Sequence, residues 1–199
     1  MISPLQRSSK STFKVILAGP HNAGKTLFIW RWKGSSETFS EKPTVGADFF
    51  SKEIDRGSIK YRIHMWDTAG QEAYHSITGP YFRSCAGILL LFDLTDRDSF
   101  VNLGYWLQLI RDNTDTVPIV FLLGNKCDLD NICVFPGEIS DFCAKNDLKY
   151  YQTSAKERIN IDLVIDDLLT HMIASQEHNK PIVEAIKLDS SSKNTQKCC

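Results

Sequence analysis

The sequence predicts an open α/β sheet with helices on both faces and one antiparallel hairpin. Three observations point to it. Apolar segments of strand length alternate with segments of helical period from Phe13 to Gln176. Two of the strand candidates, Gly87 to Asp93 and Pro118 to Gly124, are near-continuous apolar runs, the pattern of strands covered on both faces. Two others, Asp48 to Ile54 and Ile59 to Trp66, are joined by the polar turn Asp55-Arg56-Gly57-Ser58, where glycine can supply a positive φ.

In chain order, Phe13 to Ala18 is a short β-rich run that ends in a glycine-containing loop, and Leu27 to Lys33 reads as helix. The hairpin follows, with Trp30 and Trp32 of the preceding helix expected to pack. Phe100, Leu103, Leu107 and Ile110 fall at helical spacing. So do Ile161, Val164, Ile165, Leu168, Leu169, Met172 and Ile173, and both stripes read as core faces. Beyond Gln176 periodicity stops. The expected organisation is an N-terminal segment 1–11 without fixed structure, one domain over 12–176, and a flexible tail over 177–199.

The 199 residues allow a single core, and 23 Lys+Arg against 24 Asp+Glu leave a formal charge of -1, which argues against a nucleic-acid binder. No apolar run reaches the ~18 residues of a membrane helix. Met1-Ile2-Ser3-Pro4 resembles no secretory signal and offers no myristoylation site, so a reducing compartment is expected. Cys85, Cys127, Cys133 and Cys143 are scattered without a CxxC pair and read as reduced thiols.

Gly19-Pro20-His21-Asn22-Ala23-Gly24-Lys25-Thr26 fits GxxxxGK[ST] between a strand and a helix, the context that the motif requires. Backbone N–H groups of such a loop, with the helix N-terminus, can surround a β-phosphate. Lys25 would reach the β- and γ-phosphates, and the Thr26 hydroxyl would ligate Mg2+. A small kinase or ATPase would share that loop, and three further motifs separate them. Asp67-Thr68-Ala69-Gly70-Gln71 places a carboxylate near the metal, the Gly70 N–H where a γ-phosphate oxygen would lie, and an amide beside an attacking water. Asn125-Lys126-Cys127-Asp128 follows an apolar strand, where α/β sheets carry ligand groups. The Asp128 carboxylate can accept from guanine N1–H and its 2-amino group, donors that adenine lacks. Thr153-Ser154-Ala155-Lys156 follows the last strand and can close over the base edge.

With these four motifs in order, the chain resembles a small GTPase of the Ras superfamily from about Phe13 to Gln176. The resemblance implies a P-loop GTPase fold with a six-stranded mixed sheet. It also implies GTP and Mg2+ as ligands, hydrolysis to GDP and phosphate, and two switch segments ordered by the γ-phosphate. It assigns nucleotide contacts to His21, Asn22, Ala23, Gly24, Lys25, Thr26, Leu27, Thr44, Gly70, Asn125, Lys126, Asp128, Ser154, Ala155 and Lys156. Metal contacts fall to Thr26, Thr44 and Asp67, and orientation of the attacking water to Gln71.

Within that superfamily the chain is most similar to the Rab family. Gly46-Ala47-Asp48-Phe49, Trp66 before Asp67, and Tyr81-Phe82-Arg83 match Rab signatures, and the spacing from Asn125 to Ser154 leaves no room for the extra helix of Rho proteins. Lys197-Cys198-Cys199 resembles a double geranylgeranylation site. The tail from 177 onward carries four lysines against three acids, too weak a basic patch to assist one lipid, so two lipids are expected. Phe49, Trp66 and Tyr81 match Rab effector positions, although all three also suit ordinary core packing. The implied partners are effectors, an exchange factor, a GTPase-activating protein, a prenylation escort and a GDP-dissociation inhibitor. The implied location is the cytoplasmic face of an intracellular membrane, in exchange with cytosol.

Two departures bear on mechanism. Pro20, His21 and Asn22 replace the usual acidic, small and often glycine residues, and His21 stands where it could crowd the γ-phosphate or an activating protein. Asn22 is tolerable because Asn enters the left-handed region readily. Phe39 lies 5 residues before Thr44, whereas the base-stacking aromatic of the family lies 7 before, so that loop is rearranged or the contact is missing. Two readings follow: a slow GTP hydrolase favoured by Gln71, and a GTP-loaded membrane-tethered binding module with little hydrolysis, for which His21 leaves room.

Overall fold

A computed structural model describes residues 11–34, 47–68 and 79–178. Six strands are described: β1 (Ser11–Ala18), β2 (Ala47–Arg56), β3 (Ile59–Thr68), β4 (Gly87–Asp93), β5 (Ile119–Asn125) and β6 (Lys149–Gln152). They form one sheet in the order β2-β3-β1-β4-β5-β6. β2 and β3 pair antiparallel, with Arg56 opposite Ile59 across the turn Gly57-Ser58, and every other pair is parallel. This is the expected mixed sheet with one hairpin.

Among the described residues the helices are α1 (Lys25–Lys33), α2 (Arg97–Val101), α3 (Leu103–Asn113), α4 (Pro136–Asn146) and α5 (Ile161–His178), with a 3₁₀ turn at Gly79–Phe82. Alternation along the inner strands explains their continuous apolar runs. Val15 and Leu17 of β1, Leu89 and Leu91 of β4, and Phe121 and Leu123 of β5 face α1 and α5, where Phe28, Trp32, Val164, Leu168 and Met172 complete one core. Ile16, Ile88, Leu90, Phe92 and Leu122 face the other way, against Leu103, Trp106, Leu107, Ile110 and Ile139. All of β4, Val15 to Ala18 of β1 and Phe121 to Asn125 of β5 are therefore buried on both faces.

The helical stripe from Phe100 to Ile110 is divided by Asn102. Asp96 caps α2, accepting from the N–H groups of Asp98 and Ser99 at 3.0 and 3.4 Å. Phe100 packs on Phe92 and Phe142, while Leu103, Leu107 and Ile110 of α3 bury with Trp106. Strands run past their apolar stretches, β2 to Arg56 and β3 to Thr68, because ladder hydrogen bonds require no apolar side chain. Helix α5 continues to His178, two residues past the expected boundary. The four described cysteines are free thiols, and burial pushes Cys85 up to about 11. Among the described residues no helix is long and apolar enough to cross a membrane.

Candidate functional site

The C-terminal ends of β1, β3, β4, β5 and β6 carry most of the motif residues that the structure describes. Gly19 leaves β1 with φ +129, and a Cβ there would lie 2.0 Å from the Leu91 carbonyl oxygen on β4, so only glycine fits. Asn22 takes φ 60, the left-handed conformation expected of it. Gly24 precedes α1 with φ 88, and a Cβ would lie 2.3 Å from Asn125 Nδ2. The first turn of α1 has no side-chain cap and no acidic residue, and this is the end of a helix that accepts an anion. Ala23 is buried and His21 exposed, while Leu27 packs partly buried against the core beneath α1.

Lys25 is buried, and its Nζ donates to the carbonyls of Gly19 at 2.8 Å and Pro20 at 2.7 Å. Burial lowers its pKa to about 8, opposed by the nearby charge of Asp67. The ammonium thus arches over the loop, held by neutral carbonyls. Thr26 Oγ1 donates to Asp67 Oδ2 at 2.6 Å. Asp67 is fully buried, and Thr68 anchors the same strand end by donating to the Leu17 carbonyl at 2.6 Å. A hydroxyl and a carboxylate so close together supply the hard oxygen donors that suit Mg2+.

On the other side of the loop, Asn125 is buried and acts as a tie between motifs. Its Nδ2 donates to the Ala23 carbonyl at 2.8 Å, and its Oδ1 accepts from Thr153 Oγ1 at 3.2 Å and the Ala155 N–H at 3.0 Å. Cys127 N–H donates to the Thr153 carbonyl at 3.1 Å. Ser154 is buried, with its hydroxyl accepting from the Glu157 N–H at 2.9 Å. Lys156 is exposed, its Nζ 3.9 Å from Glu157 Oε1. Lys126 has φ 64, and its Nζ lies 2.6 Å from Asp93 Oδ2. Asp128 Oδ1 is buried and has no hydrogen-bond partner among the described residues. An acceptor so placed fits the paired donors of a guanine edge.

Arg31 and Asp93 contribute to this end of the sheet from outside the four motifs. Arg31 Nε, from the last turn of α1, donates to the Ala155 carbonyl at 3.2 Å and joins α1 to the loop after β6. Asp93 pairs with Lys126 from the end of β4. Its signal in the sequence is a carboxylate closing an otherwise apolar strand. Thr44, Gly70 and Gln71 lie outside the described residues, as do Phe39, Cys198 and Cys199.

Phe49, Trp66 and Tyr81 come together as a row of rings, with centroids 5.1 Å apart for the first pair and 5.4 Å for the second. Phe49 is 48% exposed, whereas Trp66 and Tyr81 are partly buried against the α3 and α4 side of the core. Surface and packing roles therefore meet in one cluster.

The family model described as "Ras family" matches residues 14–174. The "Ras-related protein Rab-13" of Mesocricetus auratus is 33% identical over 193 residues, covering 94% of this chain and 95% of that protein. The "GTP-binding protein ypt3" of Schizosaccharomyces pombe is 34% identical over 161 residues, or 80% of this chain and 75% of the relative. The "Ras-related protein RABA4d" of Arabidopsis thaliana is 36% identical over 163 residues, 80% of this chain and 72% of its own length.

Proposed function

The chain belongs to the Ras family, and on that premise we propose that it works as a membrane-anchored switch that recruits effectors during vesicle transport. It is a Rab-like small GTPase and a GTP hydrolase, and proteins of this family use GTP, GDP and Mg2+. The observation that carries the reading is the convergence of the Lys25 arch, the Thr26–Asp67 pair and the unpartnered Asp128 oxygen at one end of the sheet.

In this reading the backbone from His21 to Leu27 and the Lys25 ammonium hold the phosphates. Thr26, Thr44 and Asp67 hold Mg2+, which when bound neutralises phosphate charge. Gly70 meets the γ-phosphate, and Gln71 orients the attacking water. Asp128 reads the guanine edge, Lys126 and Lys156 flank the base, and Ser154 and Ala155 close the pocket that Asn125 ties together. Phe49, Trp66 and Tyr81 form the effector face. The catalytic domain covers 12–176, with α5 carrying on to His178, and the remaining tail bears geranylgeranyl groups on Cys198 and Cys199. An exchange factor, a GTPase-activating protein, a prenylation escort and a GDP-dissociation inhibitor complete the cycle between cytosol and the cytoplasmic face of a membrane.

Single-turnover hydrolysis on the purified protein with Mg2+ tests this reading. The expected result is slow phosphate release, on the order of 10⁻⁴ per second, blocked by GDP and not by ATP. Gln71→Leu should lower that rate at least about tenfold while leaving GTP affinity within about twofold, since a water-orienting group acts on the transition state. Tight GTP binding without release would instead support the reading in which His21 blocks hydrolysis.

Membrane attachment is tested separately in cells. Changing both Cys198 and Cys199 to Ser should move the protein from the detergent phase to the aqueous phase, and either single change should leave weak, reversible attachment. Persistent detergent partitioning of the double variant would contradict lipidation at these cysteines.

A further inference from the structure

We propose that Asp93 is a positioning residue for guanine recognition, acting by holding the side chain of Lys126 in place for the base. The inference rests on the assignment of Lys126 as a base contact. Asp93 closes β4 directly beside Asn125 in the β4–β5 register, so its carboxylate and Lys126 belong to neighbouring strand ends. Lys126 Nζ lies 2.6 Å from Asp93 Oδ2, with the lysine side chain 33% exposed and the aspartate side chain only 8%.

The carboxylate is itself fixed. Its Oδ1 accepts from the Thr95 N–H at 2.8 Å and from Thr95 Oγ1 at 2.7 Å. The Ser99 hydroxyl brackets the backbone, donating to the Asp93 carbonyl and accepting from the Asp93 N–H, both at 3.0 Å. Turning Oδ2 away from Lys126 would break the Thr95 bonds. The lysine is constrained from both ends: its backbone by φ 64, in the left-handed region, and its head by Asp93.

Four methylenes stretched between two fixed points form a persistent apolar strip, two residues from the carboxylate assigned to the base edge. A free lysine would lose rotamer freedom each time a nucleotide bound. Here that ordering is already made, so Asp93 should slow nucleotide release without touching the nucleotide.

Release of a fluorescent GDP analogue, chased with excess GDP, tests the idea. Asp93→Asn is the informative change because its amide oxygen can still accept from Thr95 while the charge facing Lys126 is gone. About tenfold faster release is expected for Asp93→Asn and for Lys126→Met, and the double variant should be no faster than about twofold beyond either, because both remove the same contact. Additive effects would mean that Asp93 acts elsewhere and would overturn the proposal. Fast release in Lys126→Met with a normal rate in Asp93→Asn would also overturn it. Fast release in Asp93→Asn with a normal rate in Lys126→Met would overturn the base-contact assignment itself. Thr95→Val supplies a second route if Asp93→Asn melts early: loosening the carboxylate should speed release about threefold, and by nothing further in the Lys126→Met background.

Discussion

Replacing Lys25 by Met is expected to weaken GDP binding by roughly 10² to 10⁴, the largest loss available from a single phosphate contact of this site. A lysine bonded to phosphate oxygens makes charge-assisted hydrogen bonds of ~1.5–3 kcal/mol each, and two of them account for that factor. Fluorescence titration would measure it, with circular dichroism to check folding. The same residue predicts an unusual pH dependence. Its pKa in the protein alone is lowered to about 8 by burial, and bound phosphate charge must raise it. Affinity should therefore be flat with respect to this group below pH 8 and fall as pH rises above it, because the free protein then carries a neutral amine that must take up a proton to bind. Calorimetry at pH 9 in buffers of different ionisation enthalpy should register uptake of about one proton per nucleotide. Lys25→Arg, whose cation does not titrate there, should remove the uptake whatever its affinity. The same shift makes a stability prediction of defined sign: the folded chain holds this proton less tightly than the unfolded one, so Lys25 adds stability as pH climbs from 8 toward the ordinary lysine range.

How legible the molecule was depends on which interactions are local. β4 and β5 announced themselves because both their faces are buried, and Asn22 because few residues other than glycine enter its backbone conformation readily. The motifs at strand ends were readable as types of residue in order. Their orientation was not. The resemblance gives Asn125 a nucleotide contact, and its amide also ties Ala23 to Thr153 and Ala155, contacts set by how β5 sits beside the loop before α1 and β6. The Lys126–Asp93 pair likewise depends on the register between β4 and β5, which no single strand encodes. Trp106 fell outside the expected stripe of α3, although it is buried there with Leu103, Leu107 and Ile110. Spacing marks a helical face without specifying its width.

Asp128→Asn is the change that distinguishes guanine recognition from generic nucleotide binding. The Asp128 Oδ1 atom is buried with no partner among the described residues, an acceptor that the donors of a ligand can satisfy. Guanine presents two donors side by side, its N1–H and 2-amino group, and two charge-assisted hydrogen bonds at ~1.5–3 kcal/mol each correspond to roughly 10² to 10⁴ in affinity. Asparagine keeps one acceptor and turns the other position into a donor that opposes the 2-amino group, so GDP affinity should fall through most of that range. A base with a carbonyl at position 2 meets the new donor instead. Xanthosine diphosphate should therefore bind the variant at least about tenfold better than GDP does, and the natural protein at least about tenfold worse. An Asp128→Asn protein that weakened both nucleotides equally would place the carboxylate's role in the fold of the loop, whereas inversion of the preference would place it at the base edge.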